Sequence, residues 1–424
     1  VGSEMCIRDR RRYTQETGSF TIPQFFSRRF RDDKNILAVL AAVIIIIFFI
    51  PYTASGFAAC GKLFSSLFGM NYMTAMIISA VVIVAYTTAG GFFAASATDF
   101  VQSIIMTVAI VFVLVFSTIS AGGIDVVVEN AKALPGYLSL TASYIEDTGK
   151  SEPYNLLHII TTLSWGLGYF GMPHILLRFM AIEDEKKLKL SRRVASVWVV
   201  IAMAMAVLIG IVGRALSNTG LVDQLHGNDT ETIIVRVAHL LSTYGAFPAI
   251  MAGLILAGIL ASTMSTADSQ LLAAASSVSE NILREAFHLK ISEKKSMLAA
   301  RLTVIGIAIL GIIIARNPDS SVFGIVSFAW AGFGAAFGPL VICSLFWKRT
   351  TLPGAIVGMV SGGAMVFIWK YLIKPIGGVF GIYELLPAFL VGLVLMVIVS
   401  LCTKAPSKEI TDEFDRVKAM GKAK

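Results

Sequence analysis

The chain has 424 residues, 56% hydrophobic and only 15% charged, against the ~25% charged residues of an ordinary soluble domain, and its mean hydropathy is +0.77. That balance excludes a soluble globular protein and, with stretches of ~20 apolar residues recurring along the chain, specifies a polytopic bundle of membrane helices whose backbones satisfy themselves. The net charge of +8 does not indicate nucleic acid, because the basic residues follow the segments between apolar stretches.

The first segment, 1–34, has no apolar core and is no signal peptide. Its opening VGSEMCIRDR (1–10) lacks an initiator Met and does not read like the loop that follows, so it is expected to be an end-of-sequence artefact ahead of a chain entered partway through. Ten apolar stretches follow, at roughly 35–62, 72–94, 100–121, 155–178, 194–215, 246–280, 300–316, 321–347, 352–373 and 381–402. With 1–34 on the cytoplasmic side, the segments 93–99, 178–193, 281–301, 347–351 and 403–424 share that side. Together these pieces hold 27 of the 35 Lys and Arg. That positive-inside bias sets the orientation, with the C-terminus cytoplasmic, and the clusters at 27–34 and 183–193 read as its anchors.

Within the first span, IPYTASG (50–56) brackets Tyr52, Thr53 and Ser55 with Pro51 and Gly56. A kinked, partly polar helix facing a pathway and plain packing fit it about equally. The third span opens on ATDFVQ (97–102), where Thr98 or Asp99 suits a helix cap. The extramembrane pieces 122–154 and 216–245 carry short amphipathic patterns and read as caps on the outer face.

In the fourth span, SWGLGYFGMPHILLRF (164–179), three glycines and Pro173 fall within eight residues. Gly costs ~1 kcal/mol and Pro ~3 kcal/mol in a helix interior, so a broken helix is expected. Irregular backbone at membrane depth survives where it lines a cavity, and transporters place ligand contacts at such breaks. Trp165 and Tyr169, an i,i+4 pair, flank the glycines as a wall for a small organic ligand. The plainer reading is a proline kink with glycines for close packing.

The sixth span holds STMSTADSQ (262–270), seven hydrogen-bonding side chains in nine residues. Ser262, Ser265, Thr266 and Ser269 fall at i, i+3, i+4 and i+7, one helical face of hydroxyls. Hydroxyl and carbonyl oxygens are hard ligands suited to an alkali cation. Asp268 is a functional candidate because an unpaired carboxylate in a membrane helix costs ~2.5–3.5 kcal/mol on the insertion scale; a position near cytoplasmic water is the alternative. Further on, AWAGFGAAFGP (329–339) is a close-packing face, and TDEFDRVKAMGKAK (411–424) reads as a mobile tail.

No enzyme motif is present. The five histidines show no paired metal spacing, and His174 is expected to hydrogen-bond to backbone at a packed helix end. The four cysteines lack CxxC spacing and read as packing residues. No filter-like repeat supports a channel, and with only about 20 residues after the last span a sensor with an appended signalling domain is not expected.

Together, IPYTASG, WGLGYFGMPHILLRFMA, LASTMSTADSQLL and SFAWAGFGAAFGPLV resemble the sodium:solute symporter family, specifically its sodium/proline symporter branch, over about residues 12–405. The resemblance implies a leucine-transporter-type all-α fold of thirteen helices, ten of them in two inverted repeats. The ten spans here resemble the last ten of those thirteen, with the second repeat complete over 155–347. It implies sodium-coupled symport of a small solute, L-proline first, across the plasma membrane, with the bilayer and no obligate protein as partner. Carried over residue by residue, Ser265 and Thr266 match sodium-coordinating hydroxyls, Ser262 a residue whose carbonyl contributes, and Asp99 an aspartate of sodium handling. Tyr52, Trp165, Tyr169 and Pro173 match substrate-site positions. Ser269 stands where relatives carry a substrate-site cysteine, and Asp268 where they carry serine.

Overall fold

The computed structural model describes residues 2–146, 148–182, 187–289 and 291–422, and the side chains of these except 2–8, 91–94 and 421–422. Lys186 and its acidic neighbours 183–185, part of one basic anchor, and the side chain of Cys6 therefore lie outside the described residues. Apart from one short hairpin the described chain is helical.

Two helices, α1 (Gly2–Thr17) and α2 (Ile22–Arg29), precede the membrane bundle. Thr21 caps α2 with a capping box: Gln24 N–H donates to its hydroxyl, and the Gln24 side chain accepts from the Thr21 N–H. The first span, α3 (Ile36–Phe68), runs unbroken through Pro51; the Ser55 hydroxyl returns a bond to the Tyr52 carbonyl at 2.6 Å. Next comes α4 (Tyr72–Ser120), one helix where two spans and a loop at 93–99 are expected. At ~1.5 Å per residue it is ~73 Å long, more than twice the ~30 Å hydrocarbon thickness, and it contains two separate apolar windows, Tyr72–Gly90 and Ala95–Ser120. AGGFFAASATDF has no proline, and two glycines alone do not stop a helix whose other residues continue it. Thr98 and Asp99 consequently sit inside a helix rather than at a cap.

The outer piece after α4 forms α5 (Ile124–Lys132) and a hairpin of β1 (Ala142–Ile145) and antiparallel β2 (Lys150–Pro153). The fourth span is divided into α6 (Leu156–Leu163), α7 (Trp165–Gly168) and α8 (Pro173–Met180), with Pro173 in the first turn of α8, where its missing N–H costs least. Then follow α9 (Leu188–Asn218), α10 (Ile233–Ser242), α11 (Ala246–Ser276), α12 (Glu293–Ala315), α13 (Val322–Phe346), α14 (Leu352–Ile368) and α15 (Leu385–Cys402). Among the described residues nine segments are long and apolar enough to cross a membrane, one fewer than the ten expected; the fourth, broken into α6–α8, contributes only a shorter apolar helix, Leu156–Gly168.

Burial orders these helices. In the most apolar window of α13, 78% of residues are buried, against 6% in α9, so α13 is the central column and α9 turns its Val194, Val197, Val200 and Val207 outward, as a lipid-facing helix does. The small residues of 329–339 let neighbours approach α13. A Cβ on Gly171 would run into the Phe333 carbonyl, and one on Gly168 into the Trp330 indole, which is how the broken segment sits flush against the column.

The expected mobile tail is a docked helix, α16 (Lys408–Lys422). Its Ile410, Phe414 and Val417 recur at helical spacing and are buried. The fully buried Arg29 of α2 donates from Nε to the Ser344 carbonyl at the end of α13 (3.1 Å), and its guanidinium lies over the rings of Tyr13, Phe30 and Phe414 at 5.2–5.4 Å. Arg31 pairs with Glu413 and, at 3.3 Å, with Glu409. Both ends of the chain thus meet at one end of the bundle, the terminal face.

At the opposite face, Glu231 gathers three elements. It accepts from the Val322 and Phe323 N–H groups at the start of α13 (3.1 and 3.2 Å), from the Ser321 hydroxyl (2.8 Å) and from Lys62 near the end of α3 (2.9 Å). A carboxylate there also faces the positive end of the helix dipole. Burial alone would raise its pKa, but Lys62 and the three hydrogen bonds outweigh that and hold it below the ordinary glutamate value.

Candidate functional site

The hydroxyl stripe of α11 is built from helix periodicity. Ser265 and Thr266 both donate to the Ser262 carbonyl at 3.1 Å, and Ser269 donates to the Ser265 carbonyl at 2.9 Å. Donation back to the helix consumes each hydroxyl hydrogen and leaves the oxygen lone pairs directed away from the backbone, the acceptor geometry a hard cation needs. The described residues therefore fit a sodium ion through Ser265 and Thr266. The Ser262 carbonyl, expected as a ligand, is engaged by both hydroxyls.

Cavities lie on both sides of this stripe. One, of about 260 Å³, is bounded by α3, α11 and the first turns of α13 and is lined by Tyr52, Ser55, Ser262, Thr266, Gln270 and Val326 among others. It brings one expected substrate residue, Tyr52, to two expected sodium residues. On the side toward the terminal face, two larger cavities share Ser269, His174 and Arg178. The second of these reaches Ser265, Thr266 and Asp99, so Thr266 lines space on either side.

Arg178, on α8, pairs with Asp99 of α4 and donates to the Ser269 hydroxyl at 2.6 Å. Asp268 is fully buried. Its Oδ1 accepts from Ser269 at 3.2 Å, while Oδ2 has no partner among the described residues. Ser269 thus bonds both Asp268 and Arg178, and Arg178 links it to Asp99.

Trp165 and Tyr169 lie on the broken segment against α13. Trp165 stacks on Trp330 of α13 (5.2 Å between centroids), Phe323 (5.5 Å) and Tyr383 (5.7 Å), and its carbonyl accepts from the Trp330 indole N–H at 3.0 Å. Tyr169 meets Trp330 edge-on at 4.8 Å. Both belong to a wall against the central column, and neither lines the cavity that holds Tyr52. Pro173 is buried at the start of α8. His174 does not make the expected backbone bond: its ring packs on Phe49 and Tyr52, each at 5.8 Å, and Nδ1 has no partner among the described residues.

Sequence reasoning gave no site role to Arg178, Thr53 or Gln270. An arginine inside an apolar segment is itself a signal, and Gln270 stands at i+4 from Thr266 and i+8 from Ser262, on the stripe's own face. Thr53 carries no such signal, because its partner Gln270 is 217 residues away.

Comparison with known proteins agrees with this architecture. The family model described as "Sodium:solute symporter family" matches residues 7–362. The sodium/proline symporter 2 of Staphylococcus saprophyticus is 38% identical over 417 residues, 97% of this chain and 78% of that protein. The high-affinity proline transporter PutP of Bacillus subtilis is 39% identical over 407 residues, covering 96% of this chain and 81% of the relative. A solved structure of a Na+-coupled sialic acid symporter, substrate-bound and outward-open, superposes with a TM-score of 0.73 at 17% identity, over 96% of this chain and 84% of its own. That last likeness concerns the fold.

Proposed function

This chain belongs to the sodium:solute symporter family and is a sodium-coupled membrane symporter of a small solute; we propose that the solute is L-proline, moved inward across the plasma membrane by alternating access, with the terminal face cytoplasmic. The observation that carries this reading is the cavity between α3 and α11, where Tyr52 shares a wall with Ser262 and Thr266. Sodium-coupled transport needs both ligands close enough to feel each other, because coupling is a reciprocal linkage in which each tightens the other by the same factor.

Sodium is carried as a co-substrate. Ser265 and Thr266 offer it hydroxyl oxygens whose hydrogens are already committed to the helix, and Asp99, with Arg178, lines the route toward the terminal face. Proline suits an aromatic wall: its ring offers apolar area, and its carboxylate and ammonium need only a few oriented polar groups. Tyr52 supplies such a wall in the cavity. Trp165 and Tyr169, held against α13, and Pro173, at the start of α8, shape the broken segment that swings the pathway from one side to the other. Ser269 and Asp268 stand at the inner limit of the stripe, where the bond from Arg178 to Ser269 must open for a cation to pass.

The test is uptake of labelled L-proline into proteoliposomes carrying the full-length protein, with and without an inward sodium gradient. Sodium-stimulated, saturable accumulation is the expected result. Uptake of another amino acid or small carboxylate in its place would keep the symporter and move the substrate.

A further inference from the structure

Three polar side chains of the cavity that holds Tyr52, Ser262 and Thr266 belong to neither the sodium site nor the aromatic wall: Ser55 and Thr263 donate back to helix carbonyls, and Gln270 keeps an unpartnered donor. Gln270, on α11, is 1% exposed. Its Oε1 accepts from the hydroxyl of Thr53 on α3 at 3.3 Å, and Thr53 is itself fully buried. This bond fixes the amide between two helices and leaves Nε2 as the free end, without a partner among the described residues. Buried donors in folded proteins are almost always paired. One retained beside a cavity, on a side chain tethered at its other end, marks the position of a ligand acceptor.

We propose that the Gln270 amide receives the carboxylate of the transported amino acid, which makes Gln270 a specificity-determining residue of this carrier. The inference rests on the proline reading given above and goes beyond it by naming the group that selects for a free carboxylate. The chemistry is one-sided. An amide N–H donates, so it suits a carboxylate and not an ammonium, and a bond to an ionised acceptor is roughly twice as strong as a neutral one. None of the residues that line this cavity carries a charge, so no lysine or arginine competes for the anion there.

Spacing adds a second argument. Ser262, Thr266 and Gln270 lie at i, i+4 and i+8 on one face of α11, so the cation-facing hydroxyls and the anion-facing amide are one turn apart, ~6 Å along the axis. Thr266 presents oxygen acceptors and Gln270 presents N–H donors. A sodium ion at the first and a carboxylate at the second attract each other across about one turn of helix, which gives the reciprocal coupling a physical source.

The experiment compares L-proline with L-prolinamide, which keeps the ring and lacks the carboxylate, as competitors of labelled proline uptake in proteoliposomes of the full-length protein. Wild type is expected to prefer proline strongly. Gln270→Met keeps the side-chain length and removes the amide; half-saturating proline should rise roughly ten- to a hundred-fold, and the preference over prolinamide should shrink by the same factor. Gln270→Glu should lose proline further and shift the ratio toward prolinamide. Thr53→Val, which frees the amide without removing it, should move both readouts the same way by less, and it covers the case in which Gln270 variants do not fold. Unchanged half-saturation and preference in Gln270→Met, or an equal loss for both competitors, would overturn the assignment while wild-type proline uptake stands. Absence of proline uptake by wild type would instead overturn the proline reading.

Discussion

At the scale of single residues, the hydroxyls of the α11 stripe are committed to bonds within the helix, while Asp268 Oδ2 and Gln270 Nε2 beside them have no partner among the described residues. Ser265 and Thr266 return their hydrogens to the helix, so they act as acceptors only, whereas the Ser269 hydrogen lies between the Ser265 carbonyl and Asp268. Replacing them by Ser265→Ala with Thr266→Val should raise the sodium concentration for half-maximal uptake by tenfold or more while leaving the fold intact; an unchanged sodium dependence would remove them from the sodium site. The pair of Arg178 and Asp99 is a different kind of commitment. Removing one partner strands the other charge, but Arg178 is 44% exposed, and water screens part of the penalty. A cycle of Arg178→Gln, Asp99→Asn and the double variant should therefore give an interaction energy of about 1–2 kcal/mol, read from thermal unfolding in detergent. Additive single effects would mean the contact carries no energy.

Among the elements, two are set by contacts outside themselves. The start of α13 is capped by Glu231 from the segment before α10. Its folded pKa is depressed, so its stabilisation is complete above the ordinary glutamate value of about 4.5 and fades as the pH falls through the folded value. Glu231→Gln should accordingly lower the melting temperature at pH 7, and the gap from wild type should narrow as the pH is brought below about 4.5. A pH-independent gap would show that the charge on Glu231 is not what stabilises the cap. The one-turn α7 depends on Gly168, since any side chain there meets the Trp330 indole. Gly168→Ala should displace the broken segment and cut maximal uptake several-fold without altering expression, whereas the same substitution at Gly166, which has open space around its Cβ position, should be tolerated.

Over the whole molecule, the two ends of the chain form a layer across the terminal face. The ion pairs from Arg31 to Glu409 and Glu413 and from Lys418 to Asp9 join α16 to the N-terminal segment, and Phe414 and Val417 bury apolar surface beneath them. Deleting 404–424 would uncover that surface. The shortened protein should melt several degrees lower, and moderate salt should not reproduce the loss, because buried area rather than screened charge supplies most of the docking. A tail without a packing role would leave the melting temperature unchanged.

What the sequence determined by itself is whatever depends on near neighbours. Hydrophobic run length marks the spans, Gly and Pro at 166–173 mark the break, and i, i+3, i+4 spacing marks the hydroxyl face of α11; each is a property of a few turns of one helix. What only the tertiary structure decided is how the helices are rotated and paired. Lipid and a packed protein interior are equally apolar, so hydropathy does not reveal which face of α13 is central, or that Trp165 turns to Trp330 while Tyr52 lines the cavity. Asp99 meets Arg178 across 79 residues and Gln270 meets Thr53 across 217, distances over which no periodicity reaches. The continuous run of α4 through 93–99 and the docking of α16 follow the same rule. Local composition permits either a loop or a helix, a free tail or a packed one, and the partner surface chooses.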